Sequence, residues 1–286
     1  MITKSKINEF KKNGFIIVKN FVEKKEINKV FNQMNVVLDT IFSFNKIKFD
    51  RKMSLDEKYF LLKKKKPTLK SHFYDSIRIL DGFNNVVYSE KRTKTIKKLL
   101  NTKAVFVTNH RLRTDHKKEK ASLAFHQELN NISTSSALIF CPFVKVNKKT
   151  GTLCIIPGSH KHGHLIFKDS KIAVEPGHKT GVVEKILKKK EKIDYKNSTV
   201  KKLFKKENIL IPSLNPGDAV IFNNFLFHGS TPYVGKGLRW TLLANYHQIN
   251  KTPYVLKENF TPSKQYPLEL GLPMRICYKQ NLNKIL

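Results

Sequence analysis

Apolar positions in the first hundred residues follow two different periods. Gly14-Phe15-Ile16-Ile17-Val18 is a short apolar run of the kind that forms a buried strand. Beyond Asn20, the residues Ile27, Val30, Phe31, Met34, Leu38, Ile41 and Phe42 recur at spacings of three and four, which places them on one face of an amphipathic helix. Residues 45–103 are mixed and lysine-rich, with a helix expected near Thr95 to Leu100, and are expected to wrap a core rather than form their own. From Ala104 the texture changes to short runs rich in Val, Ile, Phe and Leu at 104–107, 136–146, 153–156, 219–222 and 239–246. Turns separate them, among them Asn147-Lys148-Lys149-Thr150-Gly151 and Asn215-Pro216-Gly217-Asp218, where Gly and Pro supply the backbone angles. This spacing predicts an antiparallel sandwich or barrel.

The remainder of the chain fits one compact unit over 1–286. A helical N-terminal wrap (1–103) leads into a β core (104–250), which carries a lysine-rich, lid-like insertion (165–208), and a C-terminal extension (251–286) follows. No internal repeat is present. The first residues lack the apolar stretch of a secretory leader, and no apolar run reaches the ~18 residues of a membrane span, so a cytoplasmic, soluble protein is expected. Cys141, Cys154 and Cys277 are odd in number and show no C-x-x-C spacing, which predicts free thiols rather than disulfides or zinc ligands.

Charge changes the picture less than its size suggests. The formal net charge is +33, which would ordinarily raise nucleic acid as a partner. Lys far outnumbers Arg, however, and Asn, Ile and Phe are abundant, the pattern that codon bias in an AT-rich genome produces. The runs at Lys63 to Lys66, Lys188 to Lys190 and Lys201-Lys202 are dispersed and accompany no nucleic-acid motif. The surplus of base favours an anionic small-molecule partner through long-range attraction.

The candidate chemistry begins at His126-Gln127-Glu128. Residues two apart in extended chain point the same way, so this tripeptide offers an imidazole and a carboxylate to one point. His228 can return to the same barrel end after the Pro216-Gly217-Asp218 turn. Two imidazoles and a carboxylate form the facial triad of non-haem iron(II) oxygenases, which leaves iron positions open. Alone, H-x-E is a weak signal in a chain with ten histidines. Its weight comes from Arg239, with Thr241 on the same strand face, a fork and a hydroxyl suited to a dicarboxylate's far end. Trp240, between them, is expected to face the other way into a core. His160, His162 and His164 alternate and form a rival metal site if extended, but Gly163 interrupts them and no Cys or carboxylate joins. The tight histidine–glutamate cluster of a plain cupin is absent.

Taken in order, His126-Gln127-Glu128, Gly151-Thr152-Leu153-Cys154-Ile155-Ile156-Pro157-Gly158-Ser159-His160-Lys161, Pro216-Gly217-Asp218-Ala219-Val220-Ile221-Phe222, His228-Gly229-Ser230 and Arg239-Trp240-Thr241 resemble the phytanoyl-CoA dioxygenase-like family. The opening from Phe10 to Phe42 is similar too. Two positions depart from the family's pattern: Glu128 replaces the usual Asp, and Tyr233 stands where Asn is usual. The resemblance implies a mainly β, double-stranded β-helix (a jelly roll, or cupin-like barrel) with flanking α-helices. It also implies iron(II) held by His126, Glu128 and His228, with 2-oxoglutarate held by Arg239 and Thr241, and molecular oxygen as second co-substrate. The expected activity is hydroxylation of a small anionic or lipid-like substrate; Glu128 argues against halogenation, because a carboxylate ligand leaves halide no position on the metal. Arg113, with Arg111 two residues earlier on the same face, and Gln127 are the candidate substrate contacts, Gln127 pointing equally well into the structure. The alternatives are a non-catalytic jelly-roll binding protein and an oxygenase acting on nucleic acid.

Overall fold

The computed structural model describes residues 2–118, 123–128, 136–162 and 206–248. Helix α1 (Lys4–Asn13) starts at Thr3, whose hydroxyl accepts from the Lys6 amide, and stops at Gly14, which takes the left-handed φ of 79°. Strand β1 (Phe15–Val18) follows. Helix α2 (Lys24–Phe44) is opened by a reciprocal capping box of Glu23 and Glu26, and buries Ile27, Val30, Met34, Leu38 and Phe42, the face that the apolar spacing predicts.

Residues 45–103 hold more helix than the single segment expected near Thr95. They form α3 (Leu55–Lys65), α4 (Leu69–Ile79), α5 (Asp81–Tyr88) and α6 (Glu90–Leu100). Each is only two or three turns long, too short to display a periodic face, and capping is the better signal: Ser54 and Glu57 cap α3 reciprocally. Lys63, Lys64 and Lys65 occupy the last turn of α3, where cations suit the helix dipole.

The strands are β2 (Val105–His116), β3 (Leu123–His126), β4 (Ser136–Pro142), β5 (Leu153–Ile155), β6 (Ala219–Asn223), β7 (His228–Ser230) and β8 (Leu238–Gln248). They form an antiparallel five-stranded sheet in the order β1-β6-β4-β8-β2 and a three-stranded sheet in the order β3-β7-β5. This is the expected jelly roll with flanking helices. Strand β2 runs well past Val107 to His116, although its later residues are mostly polar or charged and so end the apolar run. Strand β4 ends at Pro142, which has no N–H for a ladder.

Alternation along the strands divides the apolar residues into two cores. Ala137, Ile139, Cys141, Ala219, Ile221, Leu238, Trp240, Leu242, Ala244 and Tyr246 face outward and pack with the helices. Leu138, Phe140, Val220 and Phe222 face inward and pack with Leu153 and Ile155 of the small sheet. Cys141 and Cys154 are buried free thiols, and burial pushes Cys154 up to about 12. Cys277, the lid-like insertion except 206–208, and the C-terminal extension lie outside the described residues. Among the described residues, no helix is long and apolar enough to cross a membrane.

The inward face of β8 changes character toward its end, where His247 is 2% exposed and packs against Phe106 with ring centroids 5.1 Å apart. Burial lowers its pKa to about 4. A histidine depressed in the folded state contributes stability that is full above the unfolded value near 6.5 and is lost as pH falls toward 4. Wild-type protein should therefore lose about 2 kcal/mol more unfolding free energy than His247→Gln between pH 7.5 and pH 5. Urea titrations at the two pH values check this, and parallel losses in both proteins would contradict it.

Candidate metal centre and co-substrate pocket

His126 ends β3 and His228 begins β7, and these strands pair with the two histidines directly opposite each other. Glu128 lies just past the end of β3, and its amide donates to the Asn224 carbonyl at 3.0 Å, which turns the chain back toward β7. The result is a cluster in which one ligand atom from each of His126, Glu128 and His228 lies within 4.8 Å of the others. The Glu128 Oε1 stands 3.2 Å from His126 Nε2 and 3.7 Å from His228 Nε2.

The supports of His228 come from the Pro157-Gly158-Ser159 turn. The buried Ser159 hydroxyl accepts from the Phe227 amide at 2.9 Å, and the Ile156 amide donates to the Phe227 carbonyl at 3.0 Å. His228 Nδ1 lies 3.0 Å from the Leu226 carbonyl. A carbonyl can only accept, so Nδ1 carries the proton and Nε2 presents a lone pair to the cluster. Burial, reinforced by neighbouring His126, pushes His228 below its usual value and favours the neutral ring that a metal requires. Withdrawal from water works to raise the Glu128 carboxyl, but the imidazoles packed beside it outweigh this and hold Glu128 well below the usual carboxylate range.

Arg239 lies on the inner face of β8, 1% exposed, with its guanidinium 5.5 Å from the Tyr233 ring. Its Nε and Nη2 donate to Asp115 Oδ2 at 3.1 and 2.8 Å, and Nη1 donates to the Gly151 carbonyl at 3.0 Å. Gly151 has φ +96°, and a Cβ there would meet the Pro232 carbonyl at 2.1 Å, so only glycine lets that carbonyl sit where Arg239 reaches it. A guanidinium has five N–H donors. Three are spent, and one on each terminal nitrogen is left. Thr241 is fully buried, and its hydroxyl has no hydrogen-bond partner among the described residues. Trp240 points outward, packs on Tyr59 at 5.5 Å between ring centroids, and donates from Nε1 to Asp56 at 2.9 Å.

A cleft is lined by Glu128 and His228 and also by Arg239, Asp115, Arg113 and Arg111, with Leu138, Phe140, Leu153 and Phe222 as its apolar lining. Metal-binding donors and a partly unspent, buried guanidinium thus share one cavity. These residues suit a divalent metal and a dicarboxylate on observation: three converging donors and two unspent N–H groups; Thr241 is not among the residues that line the cleft.

Three features named from the sequence have defined places in the structure. The Gln127 side chain donates to the Phe225 carbonyl at 2.7 Å and is not among the residues that line the cleft. His160 and His162 lie in a 3-10 turn (Ser159–His162), with His160 Nε2 3.1 Å from the Lys11 carbonyl, so these two do not share an extended chelating face; His164 is outside the described residues. Tyr233 donates to the Lys236 carbonyl and covers Arg239. Sequence reasoning passed over Asp115, although it continues the Arg111, Arg113 alternation on one strand face.

A two-imidazole, one-carboxylate cluster inside a jelly roll, beside a buried arginine, defines a non-haem iron(II)- and 2-oxoglutarate-dependent oxygenase. The chain belongs to the phytanoyl-CoA dioxygenase (PhyH) family, whose model matches residues 10–241. No curated protein matches by sequence. Among solved structures, the epimerase SnoN in complex with Fe3+, alpha ketoglutarate and nogalamycin RO is 12% identical, covers 86% of this chain and 83% of its own, and has a TM-score of 0.58. EctD from S. alaskensis with 2-oxoglutarate and 5-hydroxyectoine is 13% identical over 87% of this chain and 77% of its own, at 0.54. The non-heme monooxygenase ThoJ is 14% identical over 85% and 77%, at 0.57. At such identities these likenesses establish the shared fold, and membership of the family establishes the enzyme class with iron(II), 2-oxoglutarate and dioxygen as its requirements.

Because Gln127 serves the Phe225 carbonyl, Gln127→Ala should lower unfolding free energy by about 1–3 kcal/mol while leaving the affinity of the metal-loaded protein for 2-oxoglutarate within about twofold. Denaturant melts and calorimetry check the pair. Lost affinity with unchanged stability would place Gln127 in the cleft.

Proposed function

We propose that the protein hydroxylates a small organic anion. In this reading His126, Glu128 and His228 hold one iron(II), Arg239 and Thr241 grip the far carboxylate of 2-oxoglutarate, and Arg113 meets an acidic group of the substrate. The observation that carries it is the cleft itself, which brings metal-ligand donors and a buried guanidinium with two unspent donors onto the same walls.

The reaction converts substrate C–H, 2-oxoglutarate and dioxygen into substrate C–OH, succinate and carbon dioxide. Iron(II) with its two co-substrates supplies the oxidant that removes hydrogen from the C–H bond. The chain's own part is to fix the metal geometry, hold the co-substrate and place the target bond. Arg239 and Thr241 fix the far end of the co-substrate, so its keto-acid end is directed toward His126, Glu128 and His228. The apolar wall of Leu138, Phe140 and Phe222 suits a carbon skeleton and keeps water from the oxidant.

Charge supports an anionic substrate. The cleft is lined by three guanidinium groups, of Arg111, Arg113 and Arg239, and by two carboxylates, of Asp115 and Glu128. An iron(II) ion and a 2-oxoglutarate dianion cancel each other, so one positive charge is left to attract the substrate. Arg113 is the most accessible member of its ion pair, at 23% against 3% for Asp115. SnoN and EctD, bound to nogalamycin RO and 5-hydroxyectoine, are precedents for a small-molecule substrate in this fold.

Purified anaerobically, the wild-type protein should bind one iron(II), and His126→Ala and His228→Ala should each lose it. Stoichiometric iron retained by both variants would place the metal elsewhere. Glu128→Asp should keep part of the activity, since the charge remains and only the reach shortens. Arg239→Leu should raise the KM for 2-oxoglutarate by about 10- to 100-fold, matching the roughly 1.5–3 kcal/mol of a charge-assisted hydrogen bond. Succinate release at varied 2-oxoglutarate measures this, and an unchanged constant would remove Arg239 from the co-substrate site.

A further inference from the structure

Asp115 holds two guanidinium groups at once. It lies directly opposite Arg239 in the β2–β8 register and is 2% exposed. Its Oδ2 accepts from Nε and Nη2 of Arg239 at 3.1 and 2.8 Å. Its Oδ1 accepts from Nε and Nη2 of Arg113 at 3.0 and 2.7 Å. Both arginines are therefore gripped along the same edge, and each keeps donors on its terminal nitrogens.

A guanidinium on a flexible stem has many orientations, and the Gly151 carbonyl alone would let Arg239 pivot about Nη1. Two further hydrogen bonds from one planar edge fix the plane of the fork. The same carboxylate separates two cations that would otherwise repel each other in a poorly solvated cleft. We propose that Asp115 is a positioning residue that presents the unspent donors of Arg239 to the far carboxylate of 2-oxoglutarate, and those of Arg113 to the neighbouring part of the cleft. The proposal rests on the reading of Arg239 as the co-substrate's anchor. Asp115 touches neither iron nor co-substrate; it acts through the arginines.

The test is calorimetric and independent of turnover. Manganese(II)-loaded protein is titrated with 2-oxoglutarate and, separately, with 2-oxovalerate, which has the same five-carbon chain and keto-acid head but no far carboxylate. Asp115→Asn keeps the shape and removes the charge. It should weaken 2-oxoglutarate about tenfold or more and leave 2-oxovalerate within about twofold. Equal weakening of both acids would show a general structural role, while unchanged or tighter 2-oxoglutarate binding would show that Asp115 does not orient the fork or competes for it; each overturns the proposal. Should Asp115→Asn not fold, Asp115→Glu retains the charge but displaces both guanidinium groups by a methylene, and the same selective weakening is expected of it. Arg239→Leu, titrated alongside, separates the two claims: if it weakens 2-oxoglutarate while the Asp115 variants do not, only the Asp115 proposal fails. If Arg239→Leu has no effect, the reading of Arg239 fails and takes the proposal with it.

Discussion

A guanidinium that is 1% exposed has to be paired, because an uncompensated charge in a protein interior is strongly destabilising. In this chain the requirement is met by Asp115, directly across the β2–β8 ladder from Arg239. Such a pair is a poor source of net stability, since desolvation offsets much of the attraction, but it is intolerant of misregister. A slip of β8 by one residue would turn Arg239 toward the helices, away from Asp115, and bring Trp240 into the cleft. Strands β2 and β8 are thereby held to one register.

The outward half of the same alternation ties the site to the helices. Trp240 lies between Arg239 and Thr241, and Asp56 near the start of α3 accepts both its indole N–H and the Leu238 amide, at 2.9 and 2.8 Å. The helical wrap thus clamps the strand that carries Arg239. On the other side of the cleft, the supports of the histidine cluster are neutral: a serine hydroxyl, main-chain carbonyls and the Gln127 amide. Charge is concentrated on β2 and β8, and Leu138, Phe140, Val220 and Phe222 make the inward faces of β4 and β6 apolar, so one part of the large sheet's inner face suits anions and the neighbouring part suits carbon.

What could be read from the sequence divides along physical lines. The long face of α2, the short apolar strands and the turns at Gly151 and Gly217 were legible because burial imposes a period and positive φ demands glycine. The convergence of His126, Glu128 and His228 was legible because a metal-binding cluster restricts both residue type and order along the chain. Helices α3 to α5 were not, because at 8–11 residues their stability comes from caps and tertiary packing more than from a visible periodic face. Asp115 was hidden for another reason: its partner is 124 residues away, and an acid near two arginines has no signature until the strands are paired. Gln127 could point either way on sequence alone, and only the position of the Phe225 carbonyl decides it.

The central claim is that a metal ion and a dicarboxylate occupy one cleft, between the His126–Glu128–His228 cluster and Arg239. The most direct measurement is anomalous diffraction at the iron edge from crystals grown anaerobically with iron(II) and 2-oxoglutarate. The account predicts a single strong peak within bonding distance of both histidine Nε2 atoms and the Glu128 carboxylate, with ligand density running from it to the terminal nitrogens of Arg239. A peak at another group of residues, or co-substrate density that leaves the Arg239 donors unused, would contradict it.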